Sequence, residues 1–205
     1  MCKNAHTLSI LTEGRYTILV DAPRILVFAG PNGSGKSSLT LAWDIIGLYI
    51  NADDIMVKRN CSALEAAQEA ERLRELCISE LRSFTFETVL STGRNLNLLT
   101  RAKTAGFHIE SVFIMTADPE LNVFRVKSRE LSGGHSVPYD KIRSRYTKAL
   151  ANIPTLLSLS DIFRLVDNTD TPEILLSKDA KGIQLRPNQR WSAEALKQMI
   201  NANNG

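Results

Sequence analysis

An α/β fold, a three-layer sandwich with a mostly parallel central sheet, is predicted by three observations. Short β-rich runs alternate with longer helical stretches along the chain, the layout that places helices on both faces of a parallel sheet. The apolar run 24–29 (Arg-Ile-Leu-Val-Phe-Ala) passes directly into a glycine-rich loop and then into a helical stretch. The 205-residue chain is 43% hydrophobic and 23% charged, with no repeat, low-complexity tract or Pro/Gly/Ser linker, so it reads as a single domain, 1–205, with a sizeable core.

The elements follow in order. The run 24–29 is a buried strand, 37–46 a helix and 48–50 a second strand. From 62 to 82 the chain reads as a long helix whose apolar stripe, Ala66, Ala70, Leu73, Cys77 and Leu81, has core-packing spacing. A third strand covers 84–86 and 89–90, a helix 96–105, and a fourth strand 111–116 that closes at Asp118-Pro119. Proline suits the first turn of a helix, so the next helix starts at Pro119 and runs to about Leu131. Ser132-Gly133-Gly134 breaks it, another helix runs from Pro138 towards Leu157, and 162–166 is a fifth strand. Residues 173–185 alternate about a Lys181-Gly182 turn as a β-hairpin, 192–200 is a short helix and 201–205 a frayed end.

Charge and composition remove several function classes. Twenty-five Lys and Arg against 22 Asp and Glu leave a net charge of +3, without the basic bias of a dedicated nucleic-acid binder. Cys2, Cys61 and Cys77 form no CxxC pair and suit a reducing compartment. His6, His108 and His135 lack metal-ligand spacing, which argues against zinc. No apolar run approaches the roughly 20 residues of a membrane span, and 1–16 carries Glu13 and no signal-peptide core. The expectation is a soluble cytoplasmic protein with neither membrane nor nucleic acid as partner.

Gly30-Pro31-Asn32-Gly33-Ser34-Gly35-Lys36-Ser37 matches GxxxxGK[ST] between a strand and a helix, which makes the sandwich a P-loop NTPase. Glycines let the backbone wrap phosphates with its N–H groups inward, and the helix start adds a dipole favourable to anions. Residues 30–38, Ser38 included, are therefore assigned to nucleotide binding; Lys36 reaches the β- and γ-phosphates and Ser37 ligates Mg²⁺. The Asn-Lys-x-Asp segment of guanine-specific GTPases is absent; Asp167-Asn168-Thr169-Asp170 lacks the lysine. Leu131-Ser132-Gly133-Gly134-His135 resembles the signature segment of ABC transporter ATPases, but 156–162 is interrupted by serines and has no glutamate after Asp161. That segment is read as the tip of a kinase-like helical lid, about 125–146.

Arg125 and Arg129 precede the tip and Arg143 and Arg145 follow it, so folding the two helices back brings guanidinium groups over the phosphates, where phosphoryl transfer develops charge. Asn51-Ala52-Asp53-Asp54 follows the second strand and faces the crevice at the carboxyl ends of the strands. Asp53 or Asp54 can accept the proton of an attacking hydroxyl, and one of the pair can instead cap the following helix. Glu87, ending the third strand beside the P-loop, can hold a magnesium-bound water or a substrate hydroxyl; Asp54, Glu87 and Thr88 are assigned to the acceptor side.

From Ile25 to about Ile183 the chain resembles the zeta-toxin family of P-loop kinases, and within it the small bacterial proteins labelled predicted ABC-type ATPases. The resemblance rests on the P-loop with Pro31-Asn32, Asn51-Ala52-Asp53-Asp54-Ile55, Phe86-Glu87-Thr88, Arg125-Val126 and Arg129 with 133–138, Ile142, Arg145-Tyr146 and Val166-Asp167-Asn168-Thr169. It implies transfer of phosphate from ATP or GTP to UDP-N-acetylglucosamine, with an antitoxin as inhibitory partner. It also implies Asp53 as general base, Lys36 as the phosphate lysine, Arg129 and Arg145 as the clamp on the transferring group, and Asn168 near the base. Those toxins carry Asp-x-Asp where this chain has Asn51-Ala52-Asp53, and Met56-Val57-Lys58-Arg59 has no His-Pro pair. The expected activity is that of a magnesium-dependent small-molecule kinase. Its rivals are an ATPase or switch module working through a protein partner, and a toxin-fold protein that binds nucleotide without turning it over.

Overall fold

The computed structural model describes residues 9–12, 15–18, 22–131 and 137–201. Strands β1 (Ser9–Thr12) and β2 (Arg15–Ile18) form a separate antiparallel ribbon, which the sequence did not announce. The main body runs β3 (Arg24–Ala29), α1 (Lys36–Leu41), β4 (Leu48–Ile50), α2 (Ala52–Arg59), α3 (Ala63–Ser79), β5 (Phe84–Thr88), α4 (Arg94–Thr104), β6 (His108–Met115) and α5 (Pro119–Leu131). It continues through α6 (Tyr139–Ala151), α7 (Ile153–Leu159), β7 (Ile162–Asp167), β8 (Glu173–Asp179), β9 (Gly182–Leu185) and α8 (Ala193–Asn201).

The seven strands lie in the order β4-β5-β3-β6-β7-β8-β9. The first five are parallel and the β8–β9 hairpin adds antiparallel to β7. β3 is the middle of the parallel five, flanked by β5 and β6, so the chain leaves it to both sides and opens a crevice over the strand ends. Alternation along β3 builds two cores. Ile25, Val27 and Ala29 pack with residues of α3, α4, α7 and α8, while Leu26 and Phe28 pack with Leu39, Trp43 and Ile46 on the other face. The three-layer α/β sandwich stands.

Four local expectations change. The helix expected over 37–46 stops at Leu41, because the next residues find tertiary partners: Trp43 packs edge-on against Phe28 at 5.8 Å, and Thr85 Oγ1 both accepts from Ile46 N–H (2.9 Å) and donates to Ile46 O (2.8 Å). α3 begins on a capping box, Ser62 with Glu65, but ends at Ser79, so Leu81 leaves the apolar stripe. Arg82 N–H bonds Cys77 O and Leu81 N–H bonds Ile78 O, the Schellman pattern, with Leu81 in the left-handed region at φ 52° and 56% exposed. The single helix from Pro138 towards Leu157 is two helices, since Pro154 offers no N–H to Leu150 and Asn152, at the joint, donates from Nδ2 to Leu90 O (2.8 Å). Val89 and Leu90 lie past the end of β5, Leu90 at φ 57°.

The expected lid tip, Ser132-Gly133-Gly134 with His135, and also Cys2, His6 and 202–205 lie outside the described residues. Among the described residues no helix is long and apolar enough to cross a membrane.

Candidate active site

The loop between β3 and α1 carries left-handed or near-extended glycines where the chain has no room for a side chain. A Cβ on Gly30 (φ 146°) would sit 2.0 Å from Ile114 O, and one on Gly35 (φ 90°) 2.2 Å from Asn168 Nδ2. That second contact locates Asn168. Its Nδ2 donates to Ser34 O at 2.7 Å, so it braces the loop from beneath, and it is not among the residues lining the cleft.

The cleft above the loop holds about 600 Å³ and gathers Asn32, Gly33, Gly35, Lys36, Ser37 and Ser38 with Asn51, Asp53, Glu87 and Thr88, and with Arg125, Arg129 and Arg145 from α5 and α6. Lys36 Nζ donates to Gly30 O (2.8 Å) and Pro31 O (3.0 Å), folded back on its own loop. Burial of the ammonium, opposed by Glu87 and Asp53 and reinforced by Arg129, brings its pKa down to about 8.

Beside the lysine, Glu87 on β5 links α1 to β4. Its Oε2 accepts from Ser37 Oγ (3.0 Å) and its Oε1 from Tyr49 OH (2.7 Å). Asn51 Nδ2 donates to the Tyr49 oxygen (3.0 Å), and Asn51 Oδ1 caps α2 by accepting from Asp53 N–H (2.9 Å). Burial and the Glu87 contact raise the pKa of the Tyr49 phenol. Asn51, not either aspartate, is therefore the cap of α2, and Asp53 is left facing the cleft. Asp54, about 100° further round the helix, does not line it. Thr88 lines the cleft, but its Oγ1 accepts from Leu90 N–H (3.0 Å) and Asn95 Nδ2 (2.7 Å).

The arginines divide. Arg145 faces the cleft; the neighbouring Tyr146 donates to Thr116 O (2.6 Å), fixing α6 to the end of β6, and burial pushes its pKa up to about 12. Arg143, two residues earlier and so on the far side of the helix, bonds Glu120 bidentately at 2.6 and 2.8 Å. The expected four-arginine cluster is corrected to three. Arg125 lines the cleft wall with its guanidinium engaged by Asn168 O (2.8 Å) and Thr169 O (2.9 Å). Tyr49 escaped sequence reasoning; the signal available was its place between Leu48 and Ile50, which alternation turns to the opposite face.

A glycine-rich loop running into a helix, a carboxylate on the adjacent strand and arginines on an overhanging helical arm define a P-loop kinase-like fold. Solved structures share this fold. A chain of the AvrRxo1-ORF1:AvrRxo1-ORF2 complex with ATP aligns with TM-score 0.66 at 16% identity over 87% of this chain, which spans 63% of that chain's length. A chain of the PezAT chromosomal toxin–antitoxin system of Streptococcus pneumoniae aligns with TM-score 0.56 at 15% identity over 88% of this chain and 78% of that one. The fold is that of the zeta-toxin-like kinases. No protein-family profile matches the chain. The chain belongs to one family with an uncharacterized protein of Haemophilus influenzae, 30% identical over 129 residues that make up 60% of this chain and 92% of that protein.

Proposed function

We propose that the chain is a small-molecule kinase that transfers the γ-phosphate of ATP or GTP to a hydroxyl, with a UDP-sugar such as UDP-N-acetylglucosamine as acceptor. The observation that carries this reading is that Lys36, Arg129, Arg145 and Asp53 all line the one cleft at the phosphate loop. Asp53 accepts the proton of the acceptor hydroxyl as its oxygen bonds to Pγ and the bond from Pγ to the β,γ-bridging oxygen breaks, leaving the nucleoside diphosphate. Lys36 exchanges its two loop carbonyls for phosphate oxygens, and Arg129 and Arg145 stabilise charge on the transferring group. Residues of about 125–146, from within α5 to within α6, act as the lid.

The residues fit magnesium. Ser37 spends its proton on Glu87, which leaves its oxygen lone pairs for a hard cation. Ser37, with Glu87 behind it, would hold the ion together with phosphate oxygens and water, and magnesium supplies charge neutralisation there. An antitoxin-like protein partner is part of the proposal, supported by the paired chains of the AvrRxo1-ORF1:ORF2 and PezAT structures.

The test is product identity with labelled ATP and a panel of UDP-sugars and nucleosides. Label in an acceptor is expected, abolished by Lys36→Ala, and lowered about 10²-fold or more by Asp53→Asn with nucleotide affinity retained. Label only in free phosphate refutes the kinase and favours a partner-coupled ATPase; undiminished transfer by Asp53→Asn removes it as the base.

A further inference from the structure

Four hydrogen bonds run in one string from the phosphate loop to the start of α2: Ser37 Oγ to Glu87, Tyr49 OH to Glu87, Asn51 Nδ2 to Tyr49, and Asp53 N–H to Asn51. The direction of every bond follows from one fact, that a carboxylate accepts only. Tyr49 must therefore give its proton to Glu87, and its oxygen is left to accept. The group that faces it from Asn51 must then be the NH₂. This turns Asn51 Oδ1 towards Asp53 N–H, the only orientation in which the amide caps the helix; a flipped amide would set two donors against each other. At the other end, Glu87 held on Oε1 by Tyr49 presents Oε2 to Ser37, so that the serine proton points at the carboxylate and its lone pairs at the cleft.

We propose that Tyr49 is a positioning residue that sets both poles of the site at once, orienting Glu87 behind the Ser37 hydroxyl on the magnesium side and Asn51 beneath Asp53 on the acceptor side. The assignment rests on the phosphotransfer reading above. Tyr49 is placed for this by the sheet: β4 is an edge strand of three residues, Ile50 enters the core at 1% exposure, and alternation delivers the phenol to the crevice side beside Glu87 on the adjoining strand. Removing only the hydroxyl leaves Glu87 Oε1 and Asn51 Nδ2 each short of a partner.

The test uses ATP binding by calorimetry across a Mg²⁺ titration, which requires no acceptor. Tyr49→Phe is expected to raise the Mg²⁺ concentration for half-maximal enhancement of ATP binding by about tenfold, the effect typical of removing a partner of a metal-side group, with metal-free ATP affinity within about twofold of wild type. Because the effect travels through Glu87, Tyr49→Phe added to Glu87→Gln is expected to shift the Mg²⁺ requirement no further. If Tyr49→Phe does not fold, Asn51→Asp reads the same link: its carboxylate still caps α2 but competes with Glu87 for the phenol proton, and the same rise is expected. An unchanged Mg²⁺ requirement in the single variant, or an equal extra loss in the Glu87→Gln background, overturns the assignment while leaving the kinase reading intact. A wild-type protein without Mg²⁺-dependent ATP binding overturns the kinase reading and this assignment with it.

Discussion

Raising the pH from 7 to 9 titrates Lys36, whose pKa burial brings down to about 8. About 90% of the molecules then carry the charge at pH 7 and about 10% at pH 9, so a triphosphate that needs the cation binds about tenfold more weakly, about 1.4 kcal/mol. Stability moves the opposite way. In the unfolded chain this lysine keeps its ordinary value of 10.5, so between about pH 8 and 10.5 it holds more proton unfolded than folded, and its contribution to the free energy of unfolding rises through that window. The full shift corresponds to about 3 kcal/mol, which solvent in the open cleft screens to about 1–2 kcal/mol. The assays are calorimetric ATP affinity with Mg²⁺ at pH 7, 8 and 9, in two buffers of different ionisation enthalpy to count the proton taken up, and urea unfolding from pH 7 to 10. Lys36→Met lacks the proton and is expected to lose the fall in affinity and the Lys36 share of the change in stability; Lys36→Arg keeps its charge and is expected to flatten the affinity profile. An ATP affinity equal at pH 7 and 9 in the wild-type protein refutes the linkage, as does a stability that changes with pH identically in wild type and Lys36→Met.

Asn168→Ala removes the donor to Ser34 O beneath the loop and is expected to cost about 1–3 kcal/mol in urea unfolding, together with a weaker ATP affinity. Gly30→Ala forces a Cβ onto Ile114 O; a melting temperature about 10 °C or more below wild type is expected, from a loss above about 3 kcal/mol. Arg145→Ala and Arg129→Ala should lower turnover more than nucleotide affinity in steady-state kinetics. Arg143→Ala, whose guanidinium sits on Glu120 outside the cleft, should leave turnover, affinity and melting temperature as in wild type.

What was legible in the sequence was whatever a local rule determines. The P-loop carries its own strand, glycines and helix start, and Ser62 with Glu65 marks the start of α3 through a capping box written in four residues. Pro119 marks α5 in the same way. Ends settled by distant partners were not legible: α1 stops because Thr85, on another strand, binds both polar groups of Ile46, and Asn152 is held by the carbonyl of Leu90. The arginine cluster failed for a reason the sequence did contain, since Arg143 and Arg145 are two residues apart on one helix and must face opposite ways. Tyr49 needed the sheet order, because only pairing β4 with β5 brings residue 49 beside residue 87.

The arm over the cleft does not leave the sheet as an independent part. Through Arg125 its first helix grips the carbonyls of Asn168 and Thr169, and the side chain of that same Asn168 holds the phosphate loop at Ser34. A chimera that exchanges 119–151 with the arm of a distant relative therefore parts the arm from the 168–169 carbonyls it grips unless 167–170 travels with it. Matched transplants of both segments are expected to keep nucleotide affinity where the arm alone loses it. In divergence, these two stretches, which residues 152–166 separate in the chain, form one unit of exchange.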